Sequence, residues 1–237
     1  MRRGVAEFVG AFTLIFIGGG AGIVVGGNDI VAIALANGLA IGIMVTNLGH
    51  ISGGHFNPAI TLAFVLARRI TARLAAVYWA AQFAGAVAAA LLLRGIFSNI
   101  SRLGEVPHAP LVSDGKGLIV EIVLTFFLVW AVWATAVDPR GAFKAIAGLA
   151  IGLTITMDVF MGGPVTGAAM NPARAFGPEL VENFWGEAWI YYLGPALGAV
   201  IAALVYEYLY LRPLAPEPVG PPETGVEEPR PGDAAAS

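Results

Sequence analysis

The chain has 237 residues, of which 57% are hydrophobic and 12% are charged, and its mean hydropathy is +0.77. Soluble domains carry roughly a quarter of charged residues, so this composition excludes an ordinary soluble protein and favours insertion into a lipid bilayer. A net charge of −3 without any basic run gives no sign of a nucleic-acid partner, and the absence of cysteine excludes disulfides and thiolate metal sites.

Six apolar segments follow one another along the chain, and each is long enough to cross the hydrocarbon core as a helix. They cover about 5–27, 30–49, 74–94, 117–137, 144–162 and 187–211. The first one follows Met-Arg-Arg and imitates the start of a signal peptide. It lacks a clear cleavage site and further spans follow it, so we interpret it as a retained span.

The basic residues outside the spans predict the orientation, because Lys and Arg are more frequent in cytoplasmic loops. With both termini in the cytoplasm, the cytoplasmic set is the larger one. It comprises Arg2, Arg3, Arg68, Arg69, Arg73, Arg140, Lys144, Arg212 and Arg230, against Arg94, Arg102 and Lys116 outside. We therefore expect a multi-pass protein of the cell membrane. Residues 212–237 are rich in Pro and Glu and predict a disordered cytoplasmic tail.

Two segments, 50–69 and 163–183, do not fit as full spans. Each opens with a Gly-rich stretch, reaches Asn-Pro-Ala and continues for about ten helix-compatible residues, or about 15 Å, which is half of a bilayer core of about 30 Å. The two motifs are Asn57, Pro58 and Ala59, and Asn171, Pro172 and Ala173. Asn caps a helix well and Pro suits its first position, so we predict two re-entrant half-helices.

An internal repeat relates the two interruptions. A spacing of 114 residues separates Glu7 from Glu121 and also Asn57 from Asn171. The halves, about 4–94 and 117–211, each hold three spans and one half-helix, and an odd number of spans forces opposite orientations in the membrane. The sequence therefore predicts an all-α membrane protein with an inverted repeat, in which residues 1–211 form one channel domain.

In such a repeat the half-helices enter from opposite sides and their N-termini meet near the midplane. Both positive dipole ends then point at the centre, which disfavours cations and hydronium but not neutral solutes. The amides of Asn57 and Asn171 are available to donate to a passing oxygen. The approach to each motif is predicted to offer a ladder of backbone carbonyls, from Gly53, Gly54, His55 and Phe56 and from Gly167, Ala168, Ala169 and Met170. We expect a pore for small neutral polar molecules.

The remaining polar residues suggest other functions. Glu7 and Glu121 could serve as proton relays, but their symmetric placement favours carboxylates that accept hydrogen bonds from the adjacent loop. An ion-coupled secondary transporter also uses inverted repeats, yet the midplane carries amide, Pro and Ala with no acid beside them. No paired nucleophile and base and no cofactor motif is present, so we expect neither an enzyme nor a cofactor. Asp158, beside Val159 in an apolar span, has three open roles: it could pair with Arg174, line the outer mouth of the pore or face a neighbouring subunit.

Several motifs resemble those of the aquaporins, in the major intrinsic protein family. They are "AEFVGAF", "GHISGGHFNPA", "VEIVLTF", "MNPARAFGP" and "YYLGPALGA", within a match over residues 4–211. The second half is most similar to the plant vacuolar-membrane branch. The resemblance implies a right-handed bundle of six tilted helices and two half-helices, a homotetramer in the bilayer with one pore per subunit, and passage of water.

The same resemblance places a selectivity filter at Asn37, Val159, Ala168 and Arg174. Strict water channels usually carry a large aromatic residue and a histidine at the first two positions, so a wider filter is expected here. Arg174 would repel cations. In the vacuolar-membrane branch a histidine of an outer loop reaches the filter, and His108 is the candidate.

Two markers favour water as the main solute. Glycerol facilitators typically carry Asp where this chain has Ala175, and a Pro-aliphatic pair where it has Tyr191 and Tyr192. We therefore expect a passive water channel that also admits glycerol, ammonia or hydrogen peroxide and excludes protons and ions. The alternative is a glycerol or small-solute facilitator in which water is secondary.

Overall fold

A computed structural model describes residues 1–97, 112–140 and 144–212. Six of its helices are long and apolar enough to span a membrane: α1 (Arg2–Val24), α2 (Ile30–Ser52), α4 (Ala72–Ile96), α5 (Asp114–Val137), α6 (Ala147–Thr166) and α8 (Ala188–Leu211). Two short helices lie between them, α3 (Pro58–Leu66) and α7 (Pro172–Glu182). The six predicted spans and two half-helices are confirmed. His108 and residues 213–237 of the expected tail lie outside the described residues.

Three of the long helices contain π-helical turns. These are Leu14–Gly19 inside α1, Trp133–Val137 at the end of α5 and Glu207–Leu211 at the end of α8. A short 3₁₀ turn, Lys144–Ile146, leads into α6.

The helices before the two half-helices are longer than the sequence predicts. α2 continues to Ser52 and α6 to Thr166, where Gly53 and Gly167 end them in the left-handed conformation with φ of +95° and +80°. Glycine adopts this conformation without a steric penalty, which is why it terminates helices. The predicted segments 50–69 and 163–183 therefore each begin inside the preceding span, and this boundary prediction is wrong.

The inverted repeat is visible in the packing. α1 packs on α4 as α5 packs on α8, and α2 packs on α6 at the centre. The close crossings depend on glycine, as the small residues predict. A Cβ at Gly85 would lie 2.4 Å from the carbonyl oxygen of Phe8, and one at Gly198 would lie 2.2 Å from that of Ile122. These two contacts are equivalent in the repeat.

Polar and apolar residues are distributed as a bilayer requires. Exposed aliphatic side chains cover the outside, such as Leu35 and Leu39 on α2 and Leu149 and Leu153 on α6. The buried interior holds carboxylates, amides and hydroxyls. A polar interior inside an apolar surface indicates that the functional groups lie within the bundle.

Polar side chains of two loops are bonded to the C-terminal end of α8. Arg69 forms a two-pronged pair with Glu207, in which Nη2 lies 3.1 Å from Oε2. Asp138 accepts hydrogen bonds from the Arg140 guanidinium (2.8 Å) and from the Tyr206 hydroxyl (3.2 Å). The bonds from Arg140 hold the pKa of Asp138 well below its usual range.

Candidate pore and its supporting network

The two Asn-Pro-Ala motifs start α3 and α7 as the sequence predicts. The side-chain oxygen of Asn57 accepts a hydrogen bond from the backbone N–H of Ala59 (2.8 Å), and that of Asn171 accepts one from Ala173 (3.0 Å). Each proline takes a first-turn position, where its missing N–H costs nothing. The asparagines therefore cap their own helices with their oxygens.

The same asparagines connect the two halves of the protein. Asn57 Nδ2 donates to the carbonyl oxygen of Met170 (2.8 Å), and Asn171 Nδ2 donates to that of Phe56 (3.0 Å). A primary amide has two N–H donors, so one of each is used in this reciprocal link and one remains for a solute. Each asparagine is thus available to a solute through one amide N–H, because the other N–H joins the two halves.

The carbonyl ladder is shorter than predicted. The predicted ladder residues that line the central cavity are Gly54, His55, Ala168, Ala169 and Met170. Gly53 and Gly167 do not line it, because they end α2 and α6. Phe56 does not line it either, and its carbonyl accepts the Asn171 amide. No described residue donates a hydrogen bond to the carbonyls of Gly54, His55, Ala168 or Ala169.

Left-handed backbone occurs at matched positions of the two loops. Phe56 and Met170, directly before the asparagines, have φ of +49° and +51°. Ala168 has φ of +48° where the first loop has Gly54 at +67°. Such conformations cost about 1–3 kcal/mol at a residue other than glycine and persist only where the surroundings hold them. Residue type gave no signal for this feature.

Glu7 holds the first loop in place from α1. The carboxylate is fully buried and accepts hydrogen bonds from the backbone N–H groups of His55 (3.1 Å) and Phe56 (2.6 Å). It also accepts from the Ser52 hydroxyl (2.6 Å) and from Gln82 Nε2 (2.7 Å). Donors from three elements therefore stabilise the carboxylate and fix the strained loop.

Glu121 does the same for the second loop from α5. It accepts from the backbone N–H groups of Ala169 (3.0 Å) and Met170 (2.8 Å) and from the Thr166 hydroxyl (2.6 Å). Pro195 stands where the first half has Gln82, and its side chain has no donor. The bond from Gln82 to Glu7 therefore has no counterpart in the second half.

One narrow cavity connects the predicted site residues. Asn37, Val159, Ala168 and Arg174 line it together with both asparagines, and it leaves about 30 Å³ for the centres of water-sized molecules. The remaining wall is mostly aliphatic: Leu14, Ile41, Val45, Ile60, Leu128, Val132, Ile151 and Ile155. The lining of this narrow cavity thus combines backbone carbonyls and side-chain amides with aliphatic side chains.

Arg174 is the charged group of this lumen. Its Nε lies 3.5 Å from Asn37 Oδ1, at the limit of a hydrogen bond, and its buried Nη1 has no partner among the described residues. Asn37 in turn donates from Nδ2 to the Ile33 carbonyl (2.9 Å), which fixes its side chain. A buried guanidinium N–H without an acceptor carries a free-energy cost, which a hydrogen bond to a solute oxygen would remove.

Asp158 does not belong to this lining. It is buried, its Oδ2 has no hydrogen-bond partner in the described part of the chain, and it forms no ion pair with Arg174 there. The structure gives no physical account of this carboxyl.

The family model described as Major intrinsic protein matches residues 1–206. "Probable aquaporin TIP-type alpha" of Phaseolus vulgaris is 42% identical over 229 residues, which cover 92% of this chain and 88% of that protein. "Aquaporin TIP4-4" of Zea mays is 41% identical over 230 residues, covering 92% and 90%.

Among solved structures, the aquaglyceroporin from Plasmodium falciparum superposes with a TM-score of 0.81 at 22% identity, covering 88% of this chain and 96% of that one. This likeness shows the fold. The chain belongs to the major intrinsic protein family.

Proposed function

We propose that the chain is a passive membrane channel for water that also admits small neutral solutes such as glycerol, ammonia or hydrogen peroxide, and that excludes protons and ions. The observation that carries the proposal is the reciprocal link of Asn57 and Asn171 across two half-helix N-termini at one narrow cavity. The relatives named aquaporins support the same activity.

The geometry suits neutral cargo. A solute oxygen accepts from the spare N–H of each asparagine, and its hydrogens are accepted by the carbonyls of Gly54, His55, Ala168 and Ala169. The aliphatic wall opposite offers no hydrogen bonds, so molecules keep one orientation as they move in single file. Both half-helix N-termini and Arg174 present positive potential to the same lumen, which raises the energy of any cation there.

The solute range follows from the residues around Arg174. Asn37 and Val159 replace the large aromatic residue and the histidine that are usual in strict water channels, Ala168 is small, and we propose that the three admit solutes larger than water. Ala175 and the tyrosine pair at 191 and 192 favour water as the main cargo. A small-solute facilitator in which water is secondary is the second candidate, and the absence of a large aromatic residue at position 37 favours it.

An ion-coupled transporter is the weaker alternative. Such a protein needs acids that are available to a coupling ion near the midplane. Glu7 and Glu121 are instead occupied by donors from the loops that they support.

The assembly and the membrane belong to the same proposal. We infer a homotetramer in a lipid bilayer from the family resemblance, with residues 1–211 as the channel domain and 212–237 as a tail. The chain is a multi-pass membrane protein. The sequence-based expectation of the cell membrane has no support among the TIP-named relatives. We therefore propose only that both termini face the cytoplasm.

Stopped-flow light scattering on proteoliposomes tests the function. We expect water permeability with a low activation energy and without dependence on an ion gradient. Saturable, ion-dependent uptake would instead indicate a transporter, and absence of water permeability would refute the channel.

A filter variant tests the solute range in the same vesicles. Asn37→Phe combined with Val159→His should suppress glycerol passage and keep water passage. Leu39→Phe, on the exposed face of α2, is the matched control and should change neither. If wild-type vesicles already exclude glycerol, ammonia and hydrogen peroxide, the wide-filter interpretation is wrong.

A further inference from the structure

One glycine behind the lumen lies in direct contact with a residue of the proposed filter. Gly18 is buried in the π-helical turn of α1 and does not line the cavity. A Cβ built on Gly18 would lie 2.3 Å from Asn37 Oδ1 and 2.7 Å from its Cγ, distances that real Cβ atoms essentially never show. The carboxamide of Asn37 therefore packs directly against the backbone of Gly18.

Asn37 has little freedom to avoid a side chain at that position. Its Nδ2 is bonded to the Ile33 carbonyl at 2.9 Å, and only two torsion angles separate the carboxamide from its own backbone. Its Oδ1 lies close both to Gly18 and to Arg174 Nε, which is 3.5 Å away. Because Asn37 lines the cavity and Gly18 does not, a displacement of the carboxamide away from Gly18 changes the shape of the lumen.

This contact between a glycine and a lining residue exists in one half of the protein only. At the repeat spacing of 114 residues, the position equivalent to Gly18 holds Val132, whose side chain itself lines the cavity. The π turn of α1 thus contributes a lining residue, Leu14, at its start and a bare surface at Gly18. π turns are frequent at functional sites because they locally change which groups face a neighbour.

We propose that Gly18 is a positioning residue for solute selectivity. Because Gly18 has no side chain, the carboxamide of Asn37 can occupy its present position. Gly18 thereby sets the width of the lumen between Asn37 and Arg174. The inference rests on the proposed channel function and assigns part of the solute range to a residue that no solute touches.

Gly18→Ala is the direct test, in proteoliposomes assayed for water and glycerol. Restoring van der Waals separation of about 3.5 Å requires the carboxamide to move by about 1 Å. We expect the ratio of glycerol to water permeability to fall about tenfold, which corresponds to about 1.4 kcal/mol in the barrier. The ratio does not depend on how much protein folds, so a general loss of folded channel leaves it unchanged.

Two further variants separate positioning from folding. Gly22→Ala lies in the same helix, where an added Cβ would meet nothing within 4 Å, and should keep the wild-type ratio. Gly18→Ala combined with Asn37→Ala removes the clashing carboxamide and should restore the ratio of Asn37→Ala alone. If Gly18→Ala does not fold, the double variant should fold and conduct, because the clash is gone.

An unchanged ratio in Gly18→Ala would overturn the inference, and so would a double variant that remains defective. If wild-type vesicles admit water only, the same clash should lower water permeability in Gly18→Ala and the Asn37→Ala change should recover it. A wild-type protein without water permeability would refute the channel itself, which is a different result from either of these.

Discussion

Replacing Glu121 by Gln tests whether a carboxylate holds the second re-entrant loop. Glu121 Oε1 accepts from the Thr166 hydroxyl and the Ala169 N–H, and Oε2 accepts from the Met170 N–H. A Gln side chain has one oxygen and one NH2 group, so in either orientation its NH2 meets a backbone N–H donor. One buried N–H is then unsatisfied, at a cost of about 1–3 kcal/mol.

Glu121→Ala should be more severe, because it leaves both backbone N–H groups without an acceptor, at about 2–6 kcal/mol in all. The loss falls on Met170, which has left-handed backbone and whose carbonyl receives the Asn57 amide. We therefore expect the free energy of unfolding and the water permeability to fall together, in the order wild type, Gln, Ala.

Thermal unfolding in detergent and stopped-flow permeability measure these two effects. Glu187→Gln makes the same chemical change at an exposed position and should alter neither. A Glu121→Gln protein that unfolds at the wild-type temperature and conducts water at the wild-type rate would refute the reasoning. If Glu121→Gln kept the wild-type stability but abolished a proton flux present in the wild type, Glu121 would instead act as a proton relay.

Three further changes test other parts of the structure. Ala168→Cys places a thiol in a chain that has none, so a mercurial should inhibit water flow reversibly in the variant only; an insensitive variant would place residue 168 outside the lumen. Gln82→Leu removes the 2.7 Å bond to Glu7 and should lower the free energy of unfolding by about 1.5–3 kcal/mol, measured in detergent; no loss would contradict the assigned bond. Asp138→Asn should lower the unfolding temperature at neutral pH. Because Arg140 depresses the pKa of Asp138, this stabilisation is present above the ordinary carboxyl pKa of about 3.9 and is lost as pH falls toward the lower folded value. The gap between wild type and variant should thus be constant above about pH 5 and shrink below about pH 4, whereas a gap that does not depend on pH would exclude the ionised pair.

The repeat explains why so much of the fold could be predicted from sequence. Composition indicates a membrane protein, and the shared spacing of Glu7 with Glu121 and of Asn57 with Asn171 indicates which elements are equivalent. The capping role of each asparagine also follows from local chemistry, because Asn before Pro is a common helix start.

The unpredicted features depend on backbone geometry or on differences between the halves. The reciprocal amide links join residues 113 and 115 positions apart, and they require positive φ at Phe56 and Met170, residue types that rarely adopt it. The bond from Gln82 to Glu7 could not be inferred from the repeat, because its counterpart, Pro195, cannot form the same bond. The role of Gly18 could not be predicted from the sequence, because it depends on the absence of a side chain next to Asn37 in the folded protein.

The reciprocal link also bears on how the polypeptide matures. During synthesis the first three spans enter the bilayer before the second half exists, so Asn57 and Phe56 at that stage have no partners for the amide and carbonyl that later join Met170 and Asn171. Neither half can form these two hydrogen bonds alone. They therefore form only after the C-terminal spans have entered the bilayer. An N-terminal fragment stalled on the ribosome would keep the loop before Asn57 open and hydrated within the lipid.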